Sequence, residues 1–307
     1  MKILVTGAGG LLGAHLVASL SRRHDLVGVD RHPWWGDEPA QWVSADLEEP
    51  GLLERTVRAV SPEAVIHCAA MVHVDACERD RASAYVANVV ITRNLLRAVP
   101  PGCLFVYLST DGIFKGDSSF CVEEDLPCPR TVYGRTKLEG EWEVQLASPD
   151  YLIVRTNFYG WSSGRKRTSA EWLYEALEEG RPITLFEDFF FSPIYVADFV
   201  ERLQTLIEGG HRGVFHLAGK ERVSKSQFGE RMAHLADFSM DRVRRGSIDE
   251  AHLLAPRPKD MSLDSSRFTR VTGLDLPDCV TGLRRFLQDR GLPLSRRFQR
   301  TCLEASK

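Results

Sequence analysis

The sequence predicts an α/β protein built on a doubly wound parallel β-sheet, with a smaller C-terminal region. Short apolar runs alternate with longer amphipathic stretches through the first half of the chain, at a spacing of roughly 20 to 30 residues. A glycine-rich segment follows the first apolar run, where such a fold carries a phosphate-binding turn. Hydrophobic residues make up 43% of the chain and charged residues 26%, as is typical of globular proteins.

Apolar spacing predicts the individual elements in chain order. We expect strands at residues 2–6, 26–30, 42–46, 64–68, 104–109 and 151–155, and helices at 11–22, 50–60, 78–99 and 132–147. The run at 104–109 is apolar throughout, as expected for a strand covered on both faces. After about residue 158 the alternation loosens, and we expect a helix that ends at 180, a strand at 183–186, a helix at 196–208 and a strand at 214–217.

These elements predict how the chain is divided. Residues 1–160 should form the main domain, with elements at about 190–217 returning to it. Residues 161–189 and 218–307 should form a smaller, lid-like substrate-binding region. Right-handed crossovers place the loops after parallel strands at one edge of the sheet. The loops after residues 6, 30, 46, 68, 109 and 155 should therefore line one crevice.

Composition argues against several functional classes. A net charge of -3 gives no basic field for nucleic acid. Seven cysteines form no CxxC pair, so a disulfide framework is not expected, and nothing requires a bond between Cys121 and Cys128. No apolar run approaches the roughly 18 residues of a membrane span, and no signal peptide precedes the first strand. We therefore expect a cytoplasmic protein with neither membrane nor nucleic acid as a partner.

The loop between the first strand and the first helix carries the clearest motif. Gly7 permits a tight turn, Gly10 lets the backbone approach a pyrophosphate, and Gly13 lets the helix pack on the strand. Phosphates would lie at the helix amino terminus, where unpaired N–H groups favour an anion. The order strand, glycine loop, helix predicts a Rossmann dinucleotide-binding domain. The loop residues expected to contact the dinucleotide are Gly7, Gly9, Gly10, Leu11, Leu12 and Gly13.

The ends of the second and third strands bear on the adenosine half of the cofactor. Asp30 can accept hydrogen bonds from the adenosine ribose, which favours NAD. Arg31 follows it directly and can instead meet a 2′-phosphate, so the pattern leaves NADH and NADPH open. Asp46 either binds the adenine amine or caps the following helix, and the adjacent Leu47 is also expected to contact the cofactor.

A tyrosine and a lysine one helical turn apart predict carbonyl chemistry. Tyr133 and Lys137 begin a helix and lie on one of its faces. A phenol with a pKa near 10 is a poor acid-base group at neutral pH, and a nearby ammonium is expected to lower that pKa. Lys137 can also hold the nicotinamide ribose. Thr110, just past the fifth strand, can orient a carbonyl oxygen beside Tyr133. The alternative is an ordinary pair of surface residues.

These motifs resemble a known family. TGAGGLLG at 6–13, HCAA at 67–70, LSTD at 108–111 and YGRTK at 133–137 resemble the extended short-chain dehydrogenase/reductase family. Five further stretches resemble its dTDP-4-dehydrorhamnose reductase (RmlD-like) branch: HVDACE at 73–78, YVANVVITRNL at 85–95, STDGIF at 109–114, VRTNFYG at 154–160 and RPKDMSLD at 257–264. The resemblance covers nearly the whole chain.

The resemblance implies that NADPH or NADH reduces a 4-keto nucleotide-linked deoxysugar. Tyr133 would protonate the oxygen, with Lys137 supporting it and Thr110 orienting the substrate. Ala69 and Ala70 would join the cofactor site. The residues expected to face the sugar nucleotide are His73, Asp111, Asn157 and Arg257. The basic run Arg165, Lys166 and Arg167 would either clamp the phosphates or remain a solvated loop.

The chain departs from this family at two places. Gly112 stands where a bulky aromatic residue is usual, which implies a reshaped sugar pocket. Ala14, His15 and Leu16 occupy the place of a metal-binding glutamate in the first helix, so no metal is expected. His67, His73, Asp75 and Cys77 are likewise not expected to form a metal site. Residues 189–191, three phenylalanines, either fill the sugar pocket or pack in the core.

Two other functions remain open at this stage. A nucleotide-sugar epimerase or dehydratase would use the same tyrosine, although dehydratases add acidic residues after the Thr110 position. A regulatory subunit that binds NADP, like the partner of methionine adenosyltransferase, would need no catalytic trio. A second copy of this chain is a candidate partner in a homodimer.

Overall fold

The computed structural model describes residues 1–34, 40–49, 51–162 and 166–298. Its strands are β1 (Lys2–Thr6), β2 (Asp25–Asp30), β3 (Gln41–Ser44), β4 (Ala64–His67), β5 (Leu104–Thr110), β6 (Tyr151–Thr156), β7 (Phe158–Tyr159), β8 (Ile183–Phe186), β9 (Phe190–Phe191), β10 (Ile194–Tyr195), β11 (Gly213–His216), β12 (Val223–Ser224), β13 (Val243–Gly246) and β14 (Asp260–Met261). Its α-helices are α1 (Leu11–Leu20), α2 (Leu52–Val60), α3 (Val74–Arg79), α4 (Arg81–Tyr85), α5 (Ile91–Ala98), α6 (Val132–Ala147), α7 (Ser169–Glu178), α8 (Val196–Glu208), α9 (Lys225–Ala236), α10 (Ser266–Thr272), α11 (Cys279–Gln288) and α12 (Leu294–Arg297).

A seven-stranded sheet carries the architecture, in the order β11-β6-β5-β4-β1-β2-β3. All of its neighbouring strands pair in parallel. From β1 the chain adds β2 and β3 on one side of the sheet and then returns to add β4, β5, β6 and β11 on the other side. This confirms the predicted doubly wound parallel sheet, and it places the loops after β1, β2, β4, β5 and β6 at one edge.

Alternating side chains along the strands build two cores, one on each face of the sheet. In β1, Ile3 and Val5 belong to the core that includes α1 and α8, whereas Leu4 belongs to the core beneath α2 and α5. Every residue of β5 is buried. A strand in this central position needs apolar side chains on both faces, which is why 104–109 reads as an unbroken apolar run.

The smaller region shares the first of these cores. Leu173 of α7, Phe228 of α9 and Phe286 of α11 pack in the same cluster as the sheet strands. Its own strands form two short sheets, β13-β8 and β12-β9-β14. Among the described residues, no helix is long and apolar enough to cross a membrane.

One predicted helix is wrong in its bounds. The segment expected as a single helix at 78–99 begins earlier, at Val74, and is interrupted at Asp80, whose backbone leaves the helical region at φ -130° and ψ 82°. The Asp80 carboxylate then accepts from the Ser83 N–H group and caps α4. A π-helical turn at Val86–Val90 joins α4 to α5.

Candidate active site

The glycine loop has the geometry of a cofactor cradle. Gly7 adopts φ +64°, and a methyl group there would lie 2.7 Å from the Ala69 nitrogen. A methyl group at Gly13 would lie 2.2 Å from the Gly7 carbonyl oxygen, so only glycine lets α1 approach β1 this closely. Gly10, the residue before α1, brings no side chain to cap the helix. The amino terminus of α1 therefore faces the loop with free N–H groups, which suit an anion.

Asp30 lies at the end of β2 beside this loop. Its carboxylate accepts from the Gly9 N–H group at 3.0 Å and from the His32 N–H group at 3.1 Å. Arg31 is exposed and lies 3.6 Å from the Glu48 carboxylate. Both the carboxylate that suits a ribose and the cation that suits a 2′-phosphate are thus present at one place, and the choice between NADH and NADPH stays open.

Asp46 does not cap the following helix. Helix α2 starts at Leu52 with Gly51 before it, and the Asp46 carboxylate instead accepts from the Glu48 N–H group at 3.0 Å. Its side chain is 48% exposed, and the neighbouring Leu47 is buried. Of the two readings of Asp46, the adenine contact remains a prediction and the helix cap is wrong.

Helix α6 is anchored so that its first turn meets the end of β5. The Thr131 hydroxyl accepts from the Gly134 N–H group at 2.9 Å and caps the helix. A methyl group at Gly134 would lie 2.2 Å from the Gly112 carbonyl oxygen, so this glycine permits close contact between the two segments. The approach brings Tyr133 close to Thr110, because a methyl group at Gly112 would lie 3.4 Å from Thr110 Oγ1 and 4.0 Å from Tyr133 Cδ1. The role of Thr110 in orienting a carbonyl oxygen beside Tyr133 stays a prediction.

The expected lowering of the Tyr133 pKa is wrong for the structure as it stands. Burial raises this pKa well above its usual value, and the negative charge of Asp111 raises it further. The nearby Thr110 side chain lowers the Tyr133 pKa but does not cancel these effects. A tyrosine in this setting keeps its proton at neutral pH, because desolvation disfavours the phenolate.

Lys137 lies one turn along α6 and is only 3% exposed. Its ammonium nitrogen sits 4.0 Å above the ring centre of Tyr107 on β5. Burial lowers the Lys137 pKa to about 7, while the charge of Glu141, a further turn along, raises it. The Lys137 ammonium group thus contacts the ring of Tyr107 and interacts at longer range with the Glu141 carboxylate.

Sequence reasoning missed the ion pair behind this lysine. Glu141 and Arg155 are both buried, with contacts of 2.8 Å from Nη2 to Oε2 and 3.1 Å from Nε to Oε1. The Ser109 hydroxyl donates to the same carboxylate at 2.5 Å. Helical spacing from Tyr133 and Lys137 places Glu141 on the same face of α6, and this signal was available in the sequence.

Asp111 and Asn157 meet at the ends of β5 and β6. The Asn157 side-chain amide donates to Asp111 Oδ2 at 2.5 Å, and the Thr110 hydroxyl donates to Oδ1 at 3.0 Å. Asp111 is 3% exposed, and burial raises its pKa to about 6 despite these hydrogen bonds. Two residues predicted to face the substrate therefore lie in one cluster with Thr110.

The other two predicted substrate residues lie on and against helix α3. His73 is exposed, and its Nδ1 atom accepts from the Ala76 N–H group at 3.2 Å as the cap of α3. Arg257 forms an ion pair with Asp75 at 3.0 Å, and the same carboxylate oxygen accepts from the Ala255 N–H group. Arg257 thus links the smaller region to the loop after β4.

Gly112 leaves space next to the two hydroxyl groups. A methyl group there would point 3.4 Å from Thr110 Oγ1 and 4.0 Å from the Tyr133 ring. A bulky aromatic side chain at this position would lie against both residues. The glycine therefore opens the pocket on the side of Thr110.

Residues 189–191 divide between packing and the crevice. Phe191 is buried and packs edge-on against Phe228, with ring centres 5.5 Å apart. The guanidinium group of Arg222 covers Phe190 at 3.5 Å. Lys225, which the sequence did not single out, places its ammonium group 3.2 Å above the Phe191 ring centre and 5.2 Å from that of Phe189.

The histidines near the site are structural. His67 is buried between Thr6, at 2.6 Å, and Thr92, at 3.1 Å, and burial lowers its pKa to about 3. His15 lies 2.8 Å from the Leu11 carbonyl oxygen and 3.0 Å from an Arg297 nitrogen. Within the described ranges, no three histidine, cysteine, aspartate or glutamate side chains are arranged to hold a metal.

Two further expectations concern cysteines and the basic run. Cys121 and Cys128 are free thiols. Arg165 lies outside the described residues, whereas Arg167 pairs with Glu175 at 2.6 Å on the surface. The structure therefore leaves the phosphate-clamp reading of this run untested.

Comparison with protein families gives one assignment over most of the chain. The family described as RmlD substrate binding domain matches residues 1–291. The dTDP-4-dehydrorhamnose reductase of Mycobacterium tuberculosis is 33% identical over 282 residues, which cover 89% of this chain and 88% of that protein. Methionine adenosyltransferase 2 subunit beta of Danio rerio is 26% identical over 274 residues, which cover 87% and 83%.

Solved structures agree with this assignment. The crystal structure of dTDP-4-dehydrorhamnose reductase from Bacillus anthracis, in complex with NADP, superposes with a TM-score of 0.83 at 29% identity. The match covers 94% of this chain and 100% of that one. The two chains therefore share the fold over nearly their whole length.

Proposed function

The chain belongs to the RmlD substrate binding domain family, and on this premise we propose that it reduces the 4-keto group of a nucleotide-linked deoxysugar. It is an NAD(P)-dependent oxidoreductase, and its cofactor is NADPH or NADH. The observation that carries the proposal is that Thr110 and Tyr133 both lie next to Gly112, with Lys137 one helical turn behind, at the sheet edge where the glycine loop lies.

The cofactor site is supported by three features of the loop. The positive φ of Gly7, the close approach at Gly13 and the uncapped amino terminus of α1 leave a backbone surface for a pyrophosphate. Asp30 and Arg31 would meet the adenosine ribose, and Lys137 the nicotinamide ribose. When bound, the reduced nicotinamide supplies the hydride.

Tyr133 would then donate the proton. Its pKa is raised by burial, so the hydroxyl carries a proton at neutral pH and can give it to the oxygen that becomes an alkoxide. Thr110 would hold the same oxygen, since both Thr110 and Tyr133 lie next to Gly112. An ammonium group at Lys137 would favour the phenolate left behind, because the opposite charge lies one turn away.

The remaining predicted residues would hold the sugar nucleotide. Asp111 and Asn157 lie beside Thr110 at the inner end of the crevice, where the sugar ring would sit. Arg257 would bind the diphosphate, which a guanidinium group suits. In the structure its partner is Asp75, so substrate would have to compete for this cation.

The test is oxidation of NADPH or NADH on addition of dTDP-4-dehydrorhamnose. Tyr133→Phe should lower kcat by roughly 100- to 10,000-fold, as for loss of a general acid, and leave the cofactor Kd within about threefold. Tyr85→Phe is the matched control, because Tyr85 is a partly exposed tyrosine of α4. Equal turnover by wild type and Tyr133→Phe would overturn the assignment of the proton donor.

A second candidate is a non-catalytic subunit that binds NADP. The relative named methionine adenosyltransferase 2 subunit beta favours it, because that similarity also extends over most of the chain. This candidate predicts cofactor binding without turnover of any 4-keto nucleotide sugar. Binding measured by calorimetry, next to the oxidation assay, separates the two.

A further inference from the structure

The Thr110 hydroxyl takes part in two hydrogen bonds at the end of β5. It lies 3.0 Å from Asp111 Oδ1, and it accepts from the Gly112 N–H group at 3.1 Å. The other carboxyl oxygen, Asp111 Oδ2, accepts from the Asn157 side-chain amide at 2.5 Å. Thr110 is 6% exposed and Asp111 3%, so these contacts are buried. The direction of each hydrogen bond in this cluster follows from the groups that form it.

A carboxylate at Asp111 leaves Thr110 without a hydrogen for a substrate carbonyl. A hydroxyl group has one hydrogen and two lone pairs, whereas a carboxylate can only accept. The contact of 3.0 Å with an ionised Asp111 therefore takes the single hydrogen of Thr110. A carbonyl oxygen also only accepts. Placed between Thr110 and Tyr133, it would receive a hydrogen bond from Tyr133 but none from Thr110.

A carboxylic acid at Asp111 reverses this arrangement. Its O–H group would donate to the second lone pair of Thr110, because the first already accepts from the Gly112 N–H group. The hydrogen of Thr110 would then be free to turn to the carbonyl oxygen. The Asn157 amide can still donate to Asp111 Oδ2, which keeps its lone pairs in the acid. Each hydrogen bond of the cluster is retained, and one donor is gained for the substrate.

The surroundings of Asp111 favour the acid form. Burial raises the pKa of Asp111 to about 6, although hydrogen bonds from Asn157 and Thr110 lower it. Two other titratable groups act on this carboxyl group. The positive charge of Lys225 on α9 lowers the Asp111 pKa, whereas Tyr133 on α6 carries no charge at neutral pH. Protonation at neutral pH therefore requires only a small further push, such as a ligand that needs the donor.

We propose that Asp111 takes up one proton when the carbonyl group binds, and that its acid form makes the Thr110 hydroxyl a hydrogen-bond donor to the carbonyl oxygen. The proton comes from solvent and returns to it when the product leaves. Tyr133 still supplies the proton that the product keeps, so Asp111 is a positioning residue that acts through Thr110. The inference rests on the proposed function and deepens it.

Asp111→Asn tests this role because asparagine copies the acid form without ionising. Its amide N–H can donate to Thr110, and its oxygen can accept from Asn157. The ratio of variant to wild-type kcat/KM for dTDP-4-dehydrorhamnose should change less than about threefold up to about pH 6. From about pH 6.5 to about pH 8 the ratio should rise about tenfold per pH unit, because only the wild type loses the acid form. Lys137 titrates in both proteins, so its effect cancels in the ratio.

The rise is measurable because one donor to a developing oxyanion is worth about 100- to 1,000-fold in turnover. In a Thr110→Val background the ratio should be flat, since no hydroxyl group remains to turn. Asp117→Asn is the matched control, because Asp117 is exposed and pairs with Lys115 on the surface. It too should give a flat ratio. A flat or falling ratio for Asp111→Asn with Thr110 present would overturn the proposal, and so would the same rise without the Thr110 hydroxyl.

Proton uptake by the wild-type protein separates this proposal from the proposed function. The complex with NADP is titrated calorimetrically with dTDP-4-dehydrorhamnose at about pH 7.5, in buffers of different ionisation enthalpy. Binding of the ketone should take up roughly half to one proton per site, because Asp111 is ionised before binding and neutral afterwards. The reduced dTDP-sugar should take up less than about 0.2 proton, since its hydroxyl group can itself donate to the free lone pair of Thr110.

The outcomes divide as follows between the two proposals. Uptake with the ketone alone, in a protein that does not oxidise NADPH, would support the role of Asp111 without reductase activity. Equal uptake with both sugars, or none with either, would overturn that role while leaving reduction untouched. Failure of the ketone to bind would overturn both proposals.

Discussion

Glu141→Gln is expected to destabilise the protein severely, although residue 141 touches neither predicted ligand. Glu141 is 1% exposed and neutralises the buried guanidinium group of Arg155 through contacts of 2.8 and 3.1 Å. Glutamine keeps the shape of the side chain and an acceptor for Ser109 but not the charge. Arg155 cannot lose its proton, so its charge would remain buried without a counter-charge.

The size of the effect follows from this burial. Removal of one partner of a buried ion pair costs about 3 to 5 kcal/mol, against at most about 1 kcal/mol for an exposed pair. Glu143→Gln on the same helix is the matched control, because the Glu143 pair with Arg93 is partly exposed at 2.7 Å. Urea unfolding followed by circular dichroism gives both free energies.

A second readout links the pair to Lys137. The negative charge of Glu141 raises the Lys137 pKa, so its loss should lower that pKa further below its present value of about 7. Titration of Lys137 by NMR in folded protein would show the shift. If Glu141→Gln cost no more than Glu143→Gln, and the Lys137 titration did not move, the reasoning from burial would be refuted.

Two further predictions concern the glycine loop and acid unfolding. Gly13→Ala should lower the unfolding free energy by about 1 to 3 kcal/mol, because its methyl group would lie 2.2 Å from the Gly7 carbonyl oxygen. In Gly10→Ala the nearest contact of the methyl group is 3.2 Å, to the same oxygen. This variant should leave the unfolding free energy unchanged and weaken only cofactor binding. Calorimetric Kd values and urea unfolding separate the two effects. Burial lowers the His67 pKa to about 3 in the folded protein, whereas its pKa in the unfolded chain is near 6.5. Between these two pH values the unfolded chain binds more protons than the folded protein does. The unfolding free energy therefore rises with pH in this window. His67→Gln should therefore reduce the slope of unfolding free energy against pH in that window by about 1.4 kcal/mol per pH unit, and an unchanged slope would contradict the buried neutral state.

The sheet could be predicted from sequence because each of its strands carries its own local signal. Buried parallel strands need apolar side chains on both faces, and residues 104–109 show this directly. Helix α6 was predicted with the bounds that the structure gives, since Tyr133 and Lys137 lie on a face defined by the 3.6-residue period. The glycine loop was recognised from Gly7, whose φ of +64° is a local backbone property.

Contacts between distant segments could not be predicted in this way. Nothing in the local sequence relates Lys225 to the rings of Phe189 and Phe191, because the contact depends on how the start of α9 lies against β9. The pairing of Asp75 with Arg257 has the same origin. The interruption at Asp80 was missed for a different reason: the capping aspartate lies inside a stretch whose apolar spacing continues on both sides.

The pKa values of the site residues could not be predicted from sequence either, because they depend on burial. Sequence spacing placed Lys137 beside Tyr133 and suggested a lowered tyrosine pKa, but burial acts on both groups and dominates. Burial also moves the pKa of Asp111 up to about 6 and that of Lys225 down to about 8. All of these shifts have desolvation as their largest cause, so the groups proposed to meet the carbonyl lie in surroundings less polar than water. Hydrogen bonds to a developing negative charge are strongest in such surroundings. The close packing that raises the Tyr133 pKa in the absence of substrate is therefore also what would let Thr110 and Tyr133 stabilise an oxyanion during reduction.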